Sequence, residues 1–321
     1  MSSHKPKLVG TVFKLLGKQA SVRVDTGQGH RVFDCHLRGR LFDDEEADVK
    51  TQIAVGDRVE IDPLVALELH TPDETVPGVL HEVLERRTAV VRMAGRRKPR
   101  LQVLAANVDQ LVVVSALLEP PFKTGLIDRY LAIAETAQIA PAVCLNKVDL
   151  DDGVLLDEAR QSLRLYAELG YPLVFTSARK GVGLEELRAL LTNKRSMLVG
   201  HSGVGKSKLA NAMVPGAKLA SGEVNRRGRG RHTTSASTLL ALDFGGELVD
   251  TPGVRELSLR HIDRADLAAA FVEFRPHRDA CHFSTCSHIP EPHCGVKKAV
   301  AEGAISRTRY ESYCGLYEEL G

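Results

Sequence analysis

Arg195-Ser196-Met197-Leu198-Val199-Gly200-His201-Ser202-Gly203-Val204-Gly205-Lys206-Ser207 reads as a short strand running into a phosphate-cradling loop of the form G-x-x-x-x-G-K-[ST]. Gly200, Gly203 and Gly205 let the backbone curl. The N–H groups from Val199 through His201, Ser202 and Val204, together with the following helix N-terminus, then face negative charge. Lys206 is positioned to bridge β- and γ-phosphates as the catalytic cation, and the Ser207 hydroxyl to ligate Mg²⁺. Alone, this loop specifies only a nucleoside triphosphate.

The base is named elsewhere. Asn146-Lys147-Val148-Asp149 lies upstream, after the strand-like run Pro141-Ala142-Val143-Cys144-Leu145. The Asp149 carboxylate can accept two hydrogen bonds from guanine N1–H and N2–H₂, a pair adenine lacks, so the wrong base leaves a polar group unpaired. Asn146 is expected to secure the loop and approach guanine N7, and the Lys147 stem to pack along the ring. Thr176-Ser177-Ala178 follows another strand, and the Ala178 N–H is expected to meet guanine O6. Asp250-Thr251-Pro252-Gly253 closes the strand Glu247-Leu248-Val249 in the pattern D-x-x-G, with Asp250 reaching Mg²⁺ through water and the Gly253 N–H sensing the γ-phosphate. Gly230-Arg231-His232-Thr233-Thr234 precedes it, and one of its two threonines, Thr233 or Thr234, is the expected further Mg²⁺ ligand. The guanine-reading motif comes before the phosphate loop, the reverse of the ordinary order.

Around these motifs the chain alternates. Strand 109–116, helix 126–139, strand 141–145, helix 153–169, strand 172–176, helix 183–192 and the phosphate loop with its helix 205–213 make a βαβα rhythm. That rhythm implies a mostly parallel sheet with helices on both faces, binding ligands beyond the carboxyl ends of its strands. Residues 8 to 84 read as about five short strands broken by Gly17, Gly27 and Gly29. They suit a small barrel of oligonucleotide-binding type, with an SH3-like barrel as the competitor. After Pro252 come helix 263–274, a Cys/His knot and further helical stretches, too little apolar surface for stability without a staple. The expected domains are 1–92, 93–260 and 261–321.

That knot is Cys281-x4-Cys286-x-His288-x5-Cys294, three thiolates and an imidazole, which suits a closed structural Zn²⁺ site; His282 and His293 are nearby substitutes. Cys35, Cys144 and Cys314 are scattered and read as small buried apolar residues. With 43% hydrophobic and 26% charged residues, the 321-residue chain reads as globular. It has no apolar run of about 18 residues, and Met1–Lys7 lacks a signal-peptide core; no membrane partner and a cytoplasmic location are expected. The net charge of +2 hides two basic clusters, seven cations without an acid over 86–100, and Arg226, Arg227, Arg229 and Arg231. Either is a solvated loop or a phosphate-backbone contact. Gly95 and Pro99 make 86–100 an exposed linker.

The motif order N-K-x-D, S-A, G-x-x-x-x-G-K-S, T-T, D-T-P-G resembles the circularly permuted GTPases. With the N-terminal barrel and the Cys/Cys/His/Cys cluster, the chain looks like the ribosome small-subunit-dependent GTPase A family of bacteria. Ala105–Gln110 and Leu126–Tyr130 also resemble it; His201 and Lys208 depart from its usual glutamine and serine. The resemblance implies late maturation of the 30S subunit, contacts with its rRNA, and GTP hydrolysis to GDP stimulated by the subunit; nothing in the sequence demands more than a monomer. Val254 follows Gly253 where many GTPases carry a water-orienting glutamine, so His232 is the intrinsic candidate for that task, against a plain loop histidine. An RNA-binding switch on another RNA or ribosomal particle, with turnover not essential, is the alternative.

Overall fold

The computed structural model describes residues 7–27, 29–37, 53–67, 70–71, 73–94, 100–151, 153–214, 216, 236–251 and 257–320. Two compact units emerge. One gathers Met1–Val108, Asn193–Met197 and Gly222–Val254, the other Asp109–Thr192, Leu198–Ser221 and Arg255–Gly321.

In the first unit, β1 (Leu8–Leu16), β2 (Gln19–Thr26), β3 (Gly29–His36), β4 (Arg58–Pro63) and β5 (Val76–Val83) follow a period of two. On β2, Ala20, Val22 and Val24 point inward while Ser21, Arg23 and Asp25 do not. The strands pair in the order β1-β2-β3-β5-β4, and β4 returns to β1, so no edge is left open. β3 and β5 run parallel and the other barrel pairs antiparallel. This five-stranded closure fits the oligonucleotide-binding type of barrel. Phe33, Ile53, Val59 and Ile61 fill its centre with no exposed surface. Beside it, β11 (Arg195–Val199) runs parallel to β13 (Glu247–Asp250), and β12 (Ser237–Ala241) is antiparallel to both β13 and β1. Glu247 holds Arg195 at 2.8 Å and also pairs with Arg23 of the barrel.

One expectation is corrected here. Residues 86–100 are not simply an exposed linker: β6 (Ala89–Ala94) and β7 (Arg100–Ala106) form an antiparallel hairpin. Val90, Val103, Leu104 and Ala105 are buried in it. Alternating apolar residues on both sides of a glycine-containing break are a hairpin signal, and they outweigh the basic composition. Arg86 is not a loose cation, because its guanidinium is bonded to the fully buried Asp57 at 2.6 and 2.8 Å.

The second unit repeats a strand–helix–strand pattern. β8 (Gln110–Ala116), α1 (Thr124–Thr136), β9 (Ala140–Asn146), α2 (Leu155–Glu168) and β10 (Leu173–Phe175) follow one another. β8, β9 and β10 pair in parallel. β8 and β9 are near-continuous apolar runs, as strands covered on both faces require. α3 (Leu184–Leu191) and α4 (Lys206–Met213) follow. α1 ends earlier than expected, since Gln138 takes a left-handed backbone (φ 55°) that breaks the helix.

Toward the C-terminus stand α5 (Arg264–Ala270), a 3-10 stretch Val272–Ala280, α6 (Gly295–Ala301) and α7 (Arg307–Glu319). The expected helix 263–274 stops at Ala270. Phe271 is extended and Pro276 disfavours α backbone before it. The break sends Phe271 and Phe274 into a cluster with Tyr313, ring centroids 5.0–5.3 Å apart. A metal staple is not this region's sole support, because α1 packs on α5 and α7. Arg309, 2% exposed, pairs with Asp128 of α1 at 2.7 Å and with Glu273 at 2.6 Å, and lies 4.4 Å above the Phe271 ring. The Tyr166 hydroxyl donates to the same Asp128 at 2.5 Å.

Candidate nucleotide site and metal centre

The phosphate loop joins β11 to α4. Gly200 (φ 140°) is a close-approach position, since a Cβ there would stand 2.1 Å from the Val114 carbonyl oxygen of β8. Gly205 (φ 99°) is another, because its Cβ would stand 2.3 Å from Asn146 Nδ2. Larger residues would therefore break the loop twice over, by backbone strain and by collision. Lys206 Nζ donates to the carbonyls of Gly200 and His201, both at 2.7 Å, which draws it across the mouth of its own loop. Ser207 follows it in the first turn of α4. Val204 is buried, while His201 and Ser202 are exposed.

Asn146 is 1% exposed and ties the two motifs together. Its Nδ2 donates to the Val204 carbonyl at 2.9 Å. Its Oδ1 accepts from the Thr176 hydroxyl and from the Ala178 N–H, each at 3.2 Å. The Ala178 N–H, expected to face a guanine oxygen, is thus engaged by Asn146. The Asn146 amide, expected near N7, is committed to the phosphate loop. Lys147 takes a left-handed backbone and donates to the Glu119 carbonyl, so residues 119–120 lie beside both motifs, Pro120 Cδ being 3.5 Å from a Cβ at Gly203. Val148, Asp149 and Leu150 form a 3-10 turn. The Ser177 hydroxyl donates to Asp149 Oδ1 at 2.6 Å, orienting the carboxylate. Sequence reasoning missed this hydroxyl, the Thr176 bond and the Glu119 segment; only the Ser-Ala spacing hinted at the first.

Asp250 ends β13, and burial raises its carboxyl above its ordinary value. His232, Thr233, Thr234 and Gly253 lie outside the described residues, as do Val254 and the arginines at 226, 227, 229 and 231.

A second constellation is built from the knot after the 3-10 stretch. The ligating atoms of Cys281, Cys286, His288 and Cys294 lie within 4.8 Å of one another. His288 Nδ1 is 3.6 Å from Cys281 Sγ and 3.3 Å from Cys294 Sγ, and the two sulfurs are 3.9 Å apart. Such spacings could hold one metal ion, and they match the span that metal–sulfur bonds of about 2.3 Å would set. Backbone N–H groups of Gly295 and Lys297 point at the sulfurs of Cys281 and Cys294. Burial lowers the His288 imidazole toward its neutral, ligating form and pushes the Cys286 thiol up to about 12, so a metal would displace its proton. Tyr310 and Tyr313 donate to the carbonyls of His288 and Ser287 at 2.7 and 2.6 Å. His282 turns instead to the Phe283 ring. Of the scattered cysteines, Cys35 and Cys144 are buried, with thiols pushed up to about 12 by desolvation. Cys314 departs from the expectation: it lies half-buried beside Tyr310 on α7.

Among the described residues no helix is long and apolar enough to cross a membrane. The family model described as RsgA GTPase matches residues 83–260. A small ribosomal subunit biogenesis GTPase RsgA of Chlorobaculum tepidum is 40% identical over 98% of this chain and 99% of that protein. Its counterpart in Thermotoga petrophila is 41% identical over 92% of this chain and 91% of that one. The crystal structure of YjeQ from Thermotoga maritima superposes with a TM-score of 0.77 at 36% identity, covering 98% of this chain and 99% of that one. YloQ, a circularly permuted GTPase, superposes with a TM-score of 0.73 at 27% identity, covering 100% and 97%.

Proposed function

This chain belongs to the RsgA GTPase family and is a GTP hydrolase, and from that premise we propose that it acts on the small ribosomal subunit late in its maturation. Docked there, as a cytoplasmic monomer, it hydrolyses GTP to GDP and phosphate. The bond from Asn146 Nδ2 to the Val204 carbonyl carries the reading of the site. It couples a loop built for purine discrimination to a loop built for phosphates, so each ligand half orders the other's receptor.

Asp149, steadied by Ser177, reads the guanine edge, with Asn146, Lys147, Val148 and Ala178 shaping the base pocket. The backbone from Val199 to Gly205 wraps the phosphates and Lys206 leaves its two carbonyl partners to bridge them. Ser207, Asp250 and Thr233 or Thr234 would hold Mg²⁺, which would supply neutralisation of the developing phosphate charge. Gly253 senses the γ-phosphate, and His232 orients the attacking water. The cysteine–histidine cluster holds a structural Zn²⁺, for which three thiolates and one imidazole at tetrahedral spacing are a fitting donor set. The divisions near 92 and 260 separate barrel, nucleotide and zinc-bearing parts. The barrel and the zinc-bearing part grip rRNA, with basic side chains supplying sequence-independent phosphate contacts.

The test is GTP turnover by the full-length protein with purified small subunits, with large subunits and with neither. The reading expects stimulation by small subunits alone. Equal turnover in all three would reject the partner.

A further inference from the structure

The Thr176 hydroxyl stands between two other buried side chains. Thr176 and Cys144 have no exposed surface, and Asn146, at the end of β9, has 1%. Thr176 Oγ1 lies 3.2 Å from Asn146 Oδ1 and 3.3 Å from Cys144 Sγ. An amide oxygen can only accept and a hydroxyl has one proton, so Thr176 donates to Asn146. The contact with the sulfur then runs the other way, from the Cys144 S–H to Thr176 Oγ1. Burial keeps that thiol protonated, pushed up to about 12, so the proton is there to give. The result is a directed chain. Cys144 donates to Thr176, Thr176 to Asn146 Oδ1, and Asn146 Nδ2 to the Val204 carbonyl of the phosphate loop at 2.9 Å.

Thr176 keeps one freedom. Its N–H donates to the Leu145 carbonyl at 2.8 Å and its carbonyl accepts from the Val148 N–H at 3.1 Å, so the backbone is fixed on both sides. Rotation about χ1 would exchange the hydroxyl for a methyl of similar size, and threonine is less strictly held to one rotamer than valine. With the methyl turned toward it, Asn146 Oδ1 would keep only the Ala178 N–H at 3.2 Å. The amide that joins the base-reading loop to the phosphate loop would then be held by one bond fewer. A thiol donor beside Oγ1 favours the hydroxyl in that place, whereas an aliphatic neighbour would favour the methyl.

We propose that Cys144 and Thr176 are a positioning pair for guanine nucleotide, the thiol selecting the threonine rotamer that holds Asn146 in place for base and phosphates together. This rests on the guanine reading of the site and adds to it a cysteine that touches no ligand. Cys144→Val and Cys144→Thr share a shape and differ by one hydroxyl, so comparing them in the full-length protein with Mg²⁺ isolates the donor. Cys144→Val is expected to bind GTP and GDP about three- to tenfold more weakly than wild type, within the range of one neutral hydrogen bond, and Cys144→Thr to recover wild-type affinity to within about twofold. A cysteine that merely fills space would leave the two variants alike. The infrared S–H stretch, assigned by its loss in either variant, reads the bond without nucleotide and is expected at the lowered frequency of a donating thiol. Equal GTP affinity in the two variants, or a Cys144 stretch at the frequency of a free thiol, would overturn the pair. A wild type that binds ATP as tightly as GTP would instead refute the guanine reading, while the infrared band still judges the thiol.

Discussion

Ser177→Ala isolates one bond on which guanine recognition should depend. The Ser177 side chain has no exposed surface, and its hydroxyl donates to Asp149 Oδ1 at 2.6 Å while accepting from the Lys180 N–H at 3.0 Å. In the free protein Asp149 is partly exposed, so water can replace the lost donor and folding should change little. Beneath a bound purine that water is excluded. The carboxylate then pays for an unmet lone pair and for ordering a side chain that Ser177 had already oriented. Hydrogen bonds to charged groups contribute about 1.5–3 kcal/mol, which at about 1.4 kcal/mol per decade is roughly a 10- to 150-fold loss of GTP affinity. The assay is calorimetric or fluorescent-nucleotide titration with Mg²⁺, run for GTP and ATP together with thermal melts of the free protein. GTP affinity is expected to fall while weak ATP binding and the melting temperature stay put. A GTP affinity within about twofold of wild type would refute the claim that Ser177 preorganises the base reader.

Arg309→Met leaves Asp128 and Glu273 as buried, unpaired carboxylates in place of a closed network, and should cost about 3–5 kcal/mol in urea unfolding. A cost below about 1 kcal/mol, the scale of an exposed pair, would mean that water reaches the network. Metal analysis is expected to find one Zn²⁺ per chain, and a zinc-selective chelator in excess Mg²⁺ should lower the helical signal of α6 and α7 without abolishing GTP binding. Protein with no bound zinc and undiminished helicity would remove the metal from the account. His232→Ala is expected to lower subunit-stimulated turnover at least about tenfold, the lower range for a positioned acid–base group, with GTP affinity spared. Undiminished stimulated turnover would return His232 to an ordinary loop residue.

The strand-to-glycine-loop turn at 195–207, the turn at Asn146–Asp149 and the clustering of the cysteines were all legible in the amino-acid order. Their chemistry demands particular atoms within short contiguous stretches, where identity and local backbone preference suffice. The barrel strands and the βαβ alternation were legible for the same reason, as periodicity is a local property. The tertiary structure alone decided who partners whom. Asn146 reaches across fifty-eight residues to Val204, and Arg309 reaches across 181 to the buried Asp128. Glu247 gathers Arg23 and Arg195 from separate strands, and β4 rather than an open edge closes on β1. The hairpin of β6 and β7 was misjudged because positive charge in sequence looks like exposure, whereas the valines between those charges had a strand to pair with. Among chemically equivalent candidates, such as the histidines at 282, 288 and 293, the partner is whichever one chain closure brings within bonding distance while the others remain better served by water or a neighbouring ring.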